Sequence, residues 1–216
     1  MSLEQALAKC CQVSIDTLRA TYSNILRSTT ANAFTDGRTS TEYRRERFGR
    51  LLQAHGLMGP DHFFEPGNPL LDRLLDLYRN SLRESLALKP GVLQLFQTLR
   101  RLGKKVIVIT EGPADAQEWT VQELGIWRYI NVLVTTNEVG RSKADGLLGI
   151  VLKKHEIHSS DIVYFGDNEL RDVQAAQEEG ILAVHYDETQ KPQLDDINGL
   201  RVNSWAVVEK VLVRGE

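Results

Sequence analysis

Cysteine is nearly absent from this chain: two residues in 216, adjacent at Cys10 and Cys11. Two neighbouring cysteines cannot build a disulfide framework, which excludes a stapled secreted fold and fits a reducing, cytoplasmic setting. Long apolar runs are missing as well. No stretch approaches the roughly 20 residues of a membrane-spanning helix, and no secretory signal pattern opens the sequence. Charge of one sign is not in excess either, since 26 Lys and Arg against 29 Asp and Glu leave a net −3. Neither nucleic acid nor an anionic membrane surface is therefore an expected partner. The five histidines are scattered at His55, His62, His155, His158 and His185, without the spacing of a metal centre. There is no internal repeat or low-complexity tract, and nothing sets the oligomeric state.

The chain does carry enough apolar residues, 42% of the total, to bury one sizeable core plus a small accessory domain. Its organisation changes near Ala87. Before that point the pattern is helical, with helices expected over about Leu3 to Leu26, Thr41 to His55 and Pro69 to Leu86. Leu71, Leu74, Leu75, Tyr78 and Leu82 form the apolar stripe of the third. The loops between them, from Thr29 to Ser40 and from Gly56 to Asn68, are rich in turn formers. The arginines Arg44, Arg45, Arg47 and Arg50 alternate with glutamates, a pattern better explained by a solvated, ion-paired helix face than by a phosphate-binding patch. From Leu88 onward helix and strand patterns alternate, which predicts a parallel sheet covered by helices, an α/β fold. Strands are expected near Val106–Thr110, Val132–Thr135, Ile162–Phe165, Leu182–His185 and Leu200–Val202, with Ser204 capping a last helix.

Three passages carry chemistry. Ile162-Val163-Tyr164-Phe165-Gly166-Asp167 is a buried-strand pattern ending in Gly-Asp, and Asp172 follows about one helical turn later. Carboxylates at the C-terminal tip of a parallel strand and at the start of the next helix face the crevice where open α/β sheets bind ligands. Two such oxygen donors suit Mg²⁺. Alone, Asp167 could equally be a turn residue and Asp172 a solvated helix residue. Upstream, Val106-Ile107-Val108-Ile109-Thr110 runs into Glu111-Gly112-Pro113, a strand-to-helix junction. There the Thr110 hydroxyl and the backbone N–H groups around Glu111 and Gly112 could hold a phosphoryl oxygen. Between the two lies Gly140-Arg141-Ser142-Lys143, with Lys143 just ahead of the apolar helix Leu147 to Leu152. A lysine there could neutralise a bound anion, although most lysines at such boundaries are merely solvated.

In that order, strand–Thr, Lys before a helix, and strand–Gly-Asp…Asp, the chain resembles the haloacid dehalogenase-like hydrolase superfamily. The resemblance runs from about Leu88 to the C-terminus and covers three of that family's four motifs. It implies an α-helical cap over residues 1–87 and a Rossmann-like core, helices on both faces, over 88–216. It implies that Thr110 hydrogen-bonds a transferred phosphoryl group and Lys143 stabilises its charge. Asp167 and Asp172 would hold Mg²⁺. Cap residues would choose the substrate, and Tyr43, Phe63, Phe64, Trp119 and Trp127 are candidates, though aromatics at such spacings are more often plain core.

The departure from the family lies in the first motif, an apolar strand ending in Asp-x-Asp whose first aspartate is the nucleophile. No Asp-x-Asp occurs before Pro90. Asp16, in Val13-Ser14-Ile15-Asp16-Thr17, lacks the paired aspartate and reads as a helix residue. Without a nucleophile, Thr110 and Lys143 only stabilise charge that another group must generate. In the family the missing strand is also the central one, between those ending at Thr110 and Asp167, so its absence leaves two rows of backbone groups to be paired otherwise. The expectation is a truncated Mg²⁺-dependent phosphatase of a small phosphorylated metabolite, inactive in this form. The alternative is a non-catalytic relative that binds a phosphorylated ligand or a protein. Carbon–halogen hydrolysis fits less well because it needs no Mg²⁺ pair, and the motif order together with the long helical cap makes a phosphorylation-receiver domain a poor fit.

Overall fold

A computed structural model of the chain describes residues 3–29, 34–59, 67–189 and 200–214. Phe63, Phe64 and His62, named above, lie outside the described residues. Four helices come first: α1 (Leu3–Cys11), α2 (Ile15–Thr29), α3 (Ser40–Ala54) and α4 (Pro69–Ser85). The single helix expected from Leu3 to Leu26 is thus two. Gln12 takes a positive φ of 54° and breaks the turn, and the Ser14 hydroxyl then accepts the Thr17 N–H at 3.1 Å, starting α2 afresh. Asp16 sits exposed in the first turn of α2. Thr39 closes a capping box with Glu42 at the head of α3. Asn68 caps α4, where Pro69 spares an N–H that would have no partner. These helices bury Leu7, Cys11, Leu18, Phe48, Leu51, Leu52, Leu71 and Leu74 against one another.

The remainder alternates: α5 (Val92–Arg101), β1 (Ile107–Thr110), α6 (Ala114–Glu123), β2 (Val132–Thr135), α7 (Thr136–Val139), α8 (Leu147–Lys154), β3 (Val163–Gly166), α9 (Ala175–Glu178), β4 (Leu182–Tyr186), β5 (Leu200–Val202) and α10 (Trp205–Arg214). Every pairing is parallel. β1 runs beside β2 with Thr110 opposite Thr135; β3 runs beside β4 with Gly166 opposite His185, and β4 beside β5.

The strands nevertheless form two sheets, β1-β2 and β3-β4-β5. Among the described residues nothing pairs the free side of β1 or the facing side of β3, so the two rows foreseen from the missing first strand are open. Helices hold the halves together. Leu147 and Val151 of α8 pack on Ile107, Ile109 and Val132, while Leu148 and Leu152 of the same helix pack with Tyr164 and Ala183. On the other face, Leu93 and Phe96 of α5 and Leu133 of β2 pack against one cluster, while Leu95 and Leu99 share another with Phe165 and Val184. No helix among the described residues is long and apolar enough to cross a membrane.

Candidate active site

β1 and β3 end on the same side of the molecule, and Glu111 shows it. One of its carboxylate oxygens lies 2.6 Å from Arg171 Nη1, beyond β3. The other accepts the Lys143 backbone N–H at 3.4 Å. The Thr110, Lys143 and Asp167–Asp172 segments therefore converge, although up to about sixty positions separate them in the chain.

At the centre lies Asp172, 3% exposed. It stands on a π-helical stretch, Glu169–Gln174, opened by Asn168, whose side chain accepts the Arg171 N–H. Asp172 Oδ1 takes the Lys143 ammonium at 2.6 Å and the Tyr164 hydroxyl at 3.0 Å; Oδ2 takes the Asn168 N–H at 3.0 Å. Burial alone would push this carboxyl up. The hydrogen bond and charge of Lys143, then the Asn168 N–H and the Tyr164 hydroxyl, outweigh it and hold the group below the ordinary aspartate value. Tyr164 is pushed well above its ordinary value, by burial first and then by the charge and hydrogen bond of Asp172. Tyr164 and Gly166 share a face of β3 by strand alternation. A Cβ at Gly166 would meet the Asp172 Cβ at 2.2 Å, so the carboxylate folds back onto the strand only because residue 166 has no side chain.

The other candidates are placed as follows. The Thr110 hydroxyl donates to Gln117 Oε1 at 3.1 Å. The Gly112 N–H, one of the backbone donors considered for a phosphoryl oxygen, is taken up by the buried Thr136 hydroxyl at 3.2 Å. Asp167 is exposed, and its carboxylate makes no hydrogen bond or ion pair with any described residue. Its backbone carbonyl lies 3.2 Å from His185 Nε2, and His185 Nδ1 lies 3.2 Å from Glu169. Sequence reasoning missed Tyr164, Arg171 and Gln117. Tyr164 did leave a sign, a hydroxyl inside an otherwise apolar strand two residues before the Gly-Asp.

A magnesium ion does not fit the donors present. Both oxygens of Asp172 are engaged, and among the described residues at the strand tips only Asp167 has a carboxylate without a partner. No group of three or more acidic, histidine or cysteine side chains suited to a metal occurs among the described residues.

A cleft of about 470 Å³ opens elsewhere, between α3, α4 and α6. Arg44, Arg45 and Arg79 line it together with Asp72, Asp76 and Asp115, so its charges balance. Arg45 pairs with Asp72, Arg50 reaches Glu46 at 2.5 Å, and Arg44 lies 5.0 Å over the Tyr78 ring. The cleft contains none of the residues that converge at the strand tips. Tyr43 is buried and donates to Asp36, its hydroxyl pushed up to about 12 by burial and by that aspartate. Trp119 lines the cleft, and Trp127 is 48% exposed.

The family model described as haloacid dehalogenase-like hydrolase matches residues 15–185. A ribulose-1,5-bisphosphate 5-phosphatase of Halopiger xanaduensis is 25% identical over 158 residues, 73% of this chain and 63% of the relative. The chain thus spans less than two thirds of that protein. A glyceraldehyde 3-phosphate phosphatase of Methanopyrus kandleri is 23% identical over 181 residues, 76% of this chain and 78% of the relative. Among solved structures, a 2-haloacid dehalogenase from Pseudomonas syringae superposes with a TM-score of 0.69 at 21% identity, over 100% of this chain and 89% of that one. A hydrolase from Bacillus subtilis, solved bound to magnesium, reaches 0.68 at 16% identity, over 98% and 89%. At these identities the structural likeness speaks for the fold alone.

Proposed function

Because the chain belongs to the haloacid dehalogenase-like hydrolase family, we propose that it is the greater part of a phosphatase acting on a small phosphorylated metabolite, with its nucleophile supplied from outside the described residues. The observation that carries this reading is the meeting of Lys143 with Asp172 at 2.6 Å beside Glu111, at the common end of β1 and β3. A bound phosphoryl group would draw on the Lys143 ammonium for charge and on the Thr110 hydroxyl for a hydrogen bond. Both are held by partners that a ligand could replace, Asp172 for the one and Gln117 for the other. Asp167 would give a magnesium ion one oxygen, and the reading requires at least one further carboxylate. The two phosphatases among the relatives support a phosphorylated substrate rather than an organohalide. Residues 1–87 would act as the cap that admits substrate, and the scarcity of cysteine suits a cytoplasmic setting.

The chain lacks any Asp-x-Asp before Pro90, and Lys143 and Asp172 satisfy one another. Both facts favour binding without turnover for this form. The test is magnesium-dependent hydrolysis of a generic aryl phosphate, by this chain and by a version extended upstream with an apolar Asp-x-Asp segment. The expected result is no turnover for the first and recovery in the second, abolished by Asp167→Ala. Turnover by the chain alone would require a nucleophile among its own residues and would overturn the assignment.

A further inference from the structure

The cleft between α3, α4 and α6 plays no part in the site at the strand tips. It lies where the helical layer meets the α/β half, the kind of junction at which small-molecule sites tend to form. Its volume of about 470 Å³ is within the range of such sites.

The charges that line it divide into engaged and unengaged. Arg45 is paired with Asp72. Asp115 accepts the Ser40 backbone N–H at 2.9 Å and the Ser40 hydroxyl at 2.7 Å. Asp76 and Arg79 have no such partners. They stand three positions apart on α4, neighbours on one helix face and opposite in charge, yet no ion pair joins them. Arg79 instead turns to Trp119, with its guanidinium 5.7 Å from the ring centroid. Asp76 is exposed and makes no hydrogen bond or ion pair with a described residue. Leu75, Ala116 and the Trp119 ring supply apolar surface to the same cleft.

The lining is neutral as a whole, three arginines against three aspartates. A simple anion entering it meets three carboxylates, and a simple cation meets three guanidiniums. A ligand that carries both signs on a short body satisfies the two groups left over without unbalancing the rest. We propose that this cleft binds a small zwitterion, a free α-amino acid with an apolar side chain. Its ammonium group pairs with Asp76 and its carboxylate with Arg79, and its side chain lies against Leu75 and Trp119. The ligand thereby touches α4 of the helical layer and α6 of the α/β half at once. No residue is shared with the phosphoryl site, so the inference stands whatever reaction occurs there.

Calorimetry and ligand-observed NMR on the full chain test it, with L-phenylalanine and L-leucine as probes. At least one of them binds, one molecule per chain, with a Kd of roughly 1 mM or below. Phenethylamine and 3-phenylpropionate each keep the ring and one of the two charges, and both bind at least about tenfold more weakly than phenylalanine. Asp76→Asn and Arg79→Gln each weaken amino-acid binding by about tenfold or more. Both positions are exposed, so the variants keep the fold, which melting curves matching the parent's verify. Three results overturn the proposal. Absence of binding by either amino acid at about 10 mM means that the cleft holds only solvent. Equal binding of a single-charge analogue means that it selects the apolar body alone. Full affinity in either variant places the ligand elsewhere.

Discussion

Replacing Lys143 by methionine keeps much of the apolar stem and removes the charge facing Asp172. The carboxylate left behind is 3% exposed and has lost its partner at 2.6 Å. Breaking a buried pair from one side typically costs about 3–5 kcal/mol. Here the lower end applies, because the Tyr164 hydroxyl and the Asn168 N–H still reach the carboxylate. A loss of about 3 kcal/mol in a chain of this size lowers Tm by roughly 6–12 °C. The pH dependence separates this cause from a simple packing defect. In the parent, Asp172 titrates below its unfolded value. The stability it contributes is complete above about pH 4 and is lost as pH falls through the folded value. In Lys143→Met the groups that lowered it are reduced while burial remains, so the folded value moves up. The buried charge then destabilises at neutral pH, and protonation on acidification relieves it. The gap between parent and variant is therefore widest near pH 7 and narrows toward about pH 4. Urea unfolding at both pH values measures it, and Asp172→Asn in the Lys143→Met background should recover part of the loss. A variant within about 0.5 kcal/mol of the parent at pH 7, or one equally impaired at both pH values, would refute the reasoning.

Gly166→Ala should cost about 3 kcal/mol in urea unfolding, because its new methyl would sit 2.2 Å from the Asp172 Cβ and displace that turn; a loss under about 1 kcal/mol would mean the fold-back is looser than described. Thr39→Ala removes one half of the capping box on α3 and should cost about 1 kcal/mol, read in the same assay, with no pH signature between 6 and 8. Leu52→Ala empties a fully buried position in the helical layer and should cost about 3 kcal/mol. Native-state hydrogen exchange should then show α1–α4 opening more readily while β4 keeps its protection, because Leu52 packs in a cluster without strand residues.

Strand positions were legible because each is a compact apolar run bounded by polar or glycine residues. β2 and β5 fall where the pattern put them, and β1, β3 and β4 differ by a residue at one or both ends. The break between α1 and α2 was not legible. Apolar spacing continues straight across it, and the deciding feature is one backbone angle at Gln12 followed by a serine cap. At the site, residue types were visible but not their engagements. That Asp172 would be buried and saturated depends on Lys143 and Tyr164, which reach it from 29 and 8 positions away in the sequence. The link from Glu111 to Arg171 depends on how two crossovers bring β1 and β3 to one side, a matter of tertiary packing. The division of the sheet was foreseeable from the missing first strand. That α5 and α8 would still hold its halves in one layer was not.

This bridging has a mechanical side. Where strands are laddered, a pull along their length must break many hydrogen bonds together before anything slides. Between the strand of Thr110 and that of Phe165, load passes instead through the connecting chain and the interlocked leucines and valines of two helices, contacts that yield gradually and reform after slipping. The plane between those strands is the direction of least shear resistance in the α/β half, and force applied across it should find the molecule soft there while each paired half stays stiff.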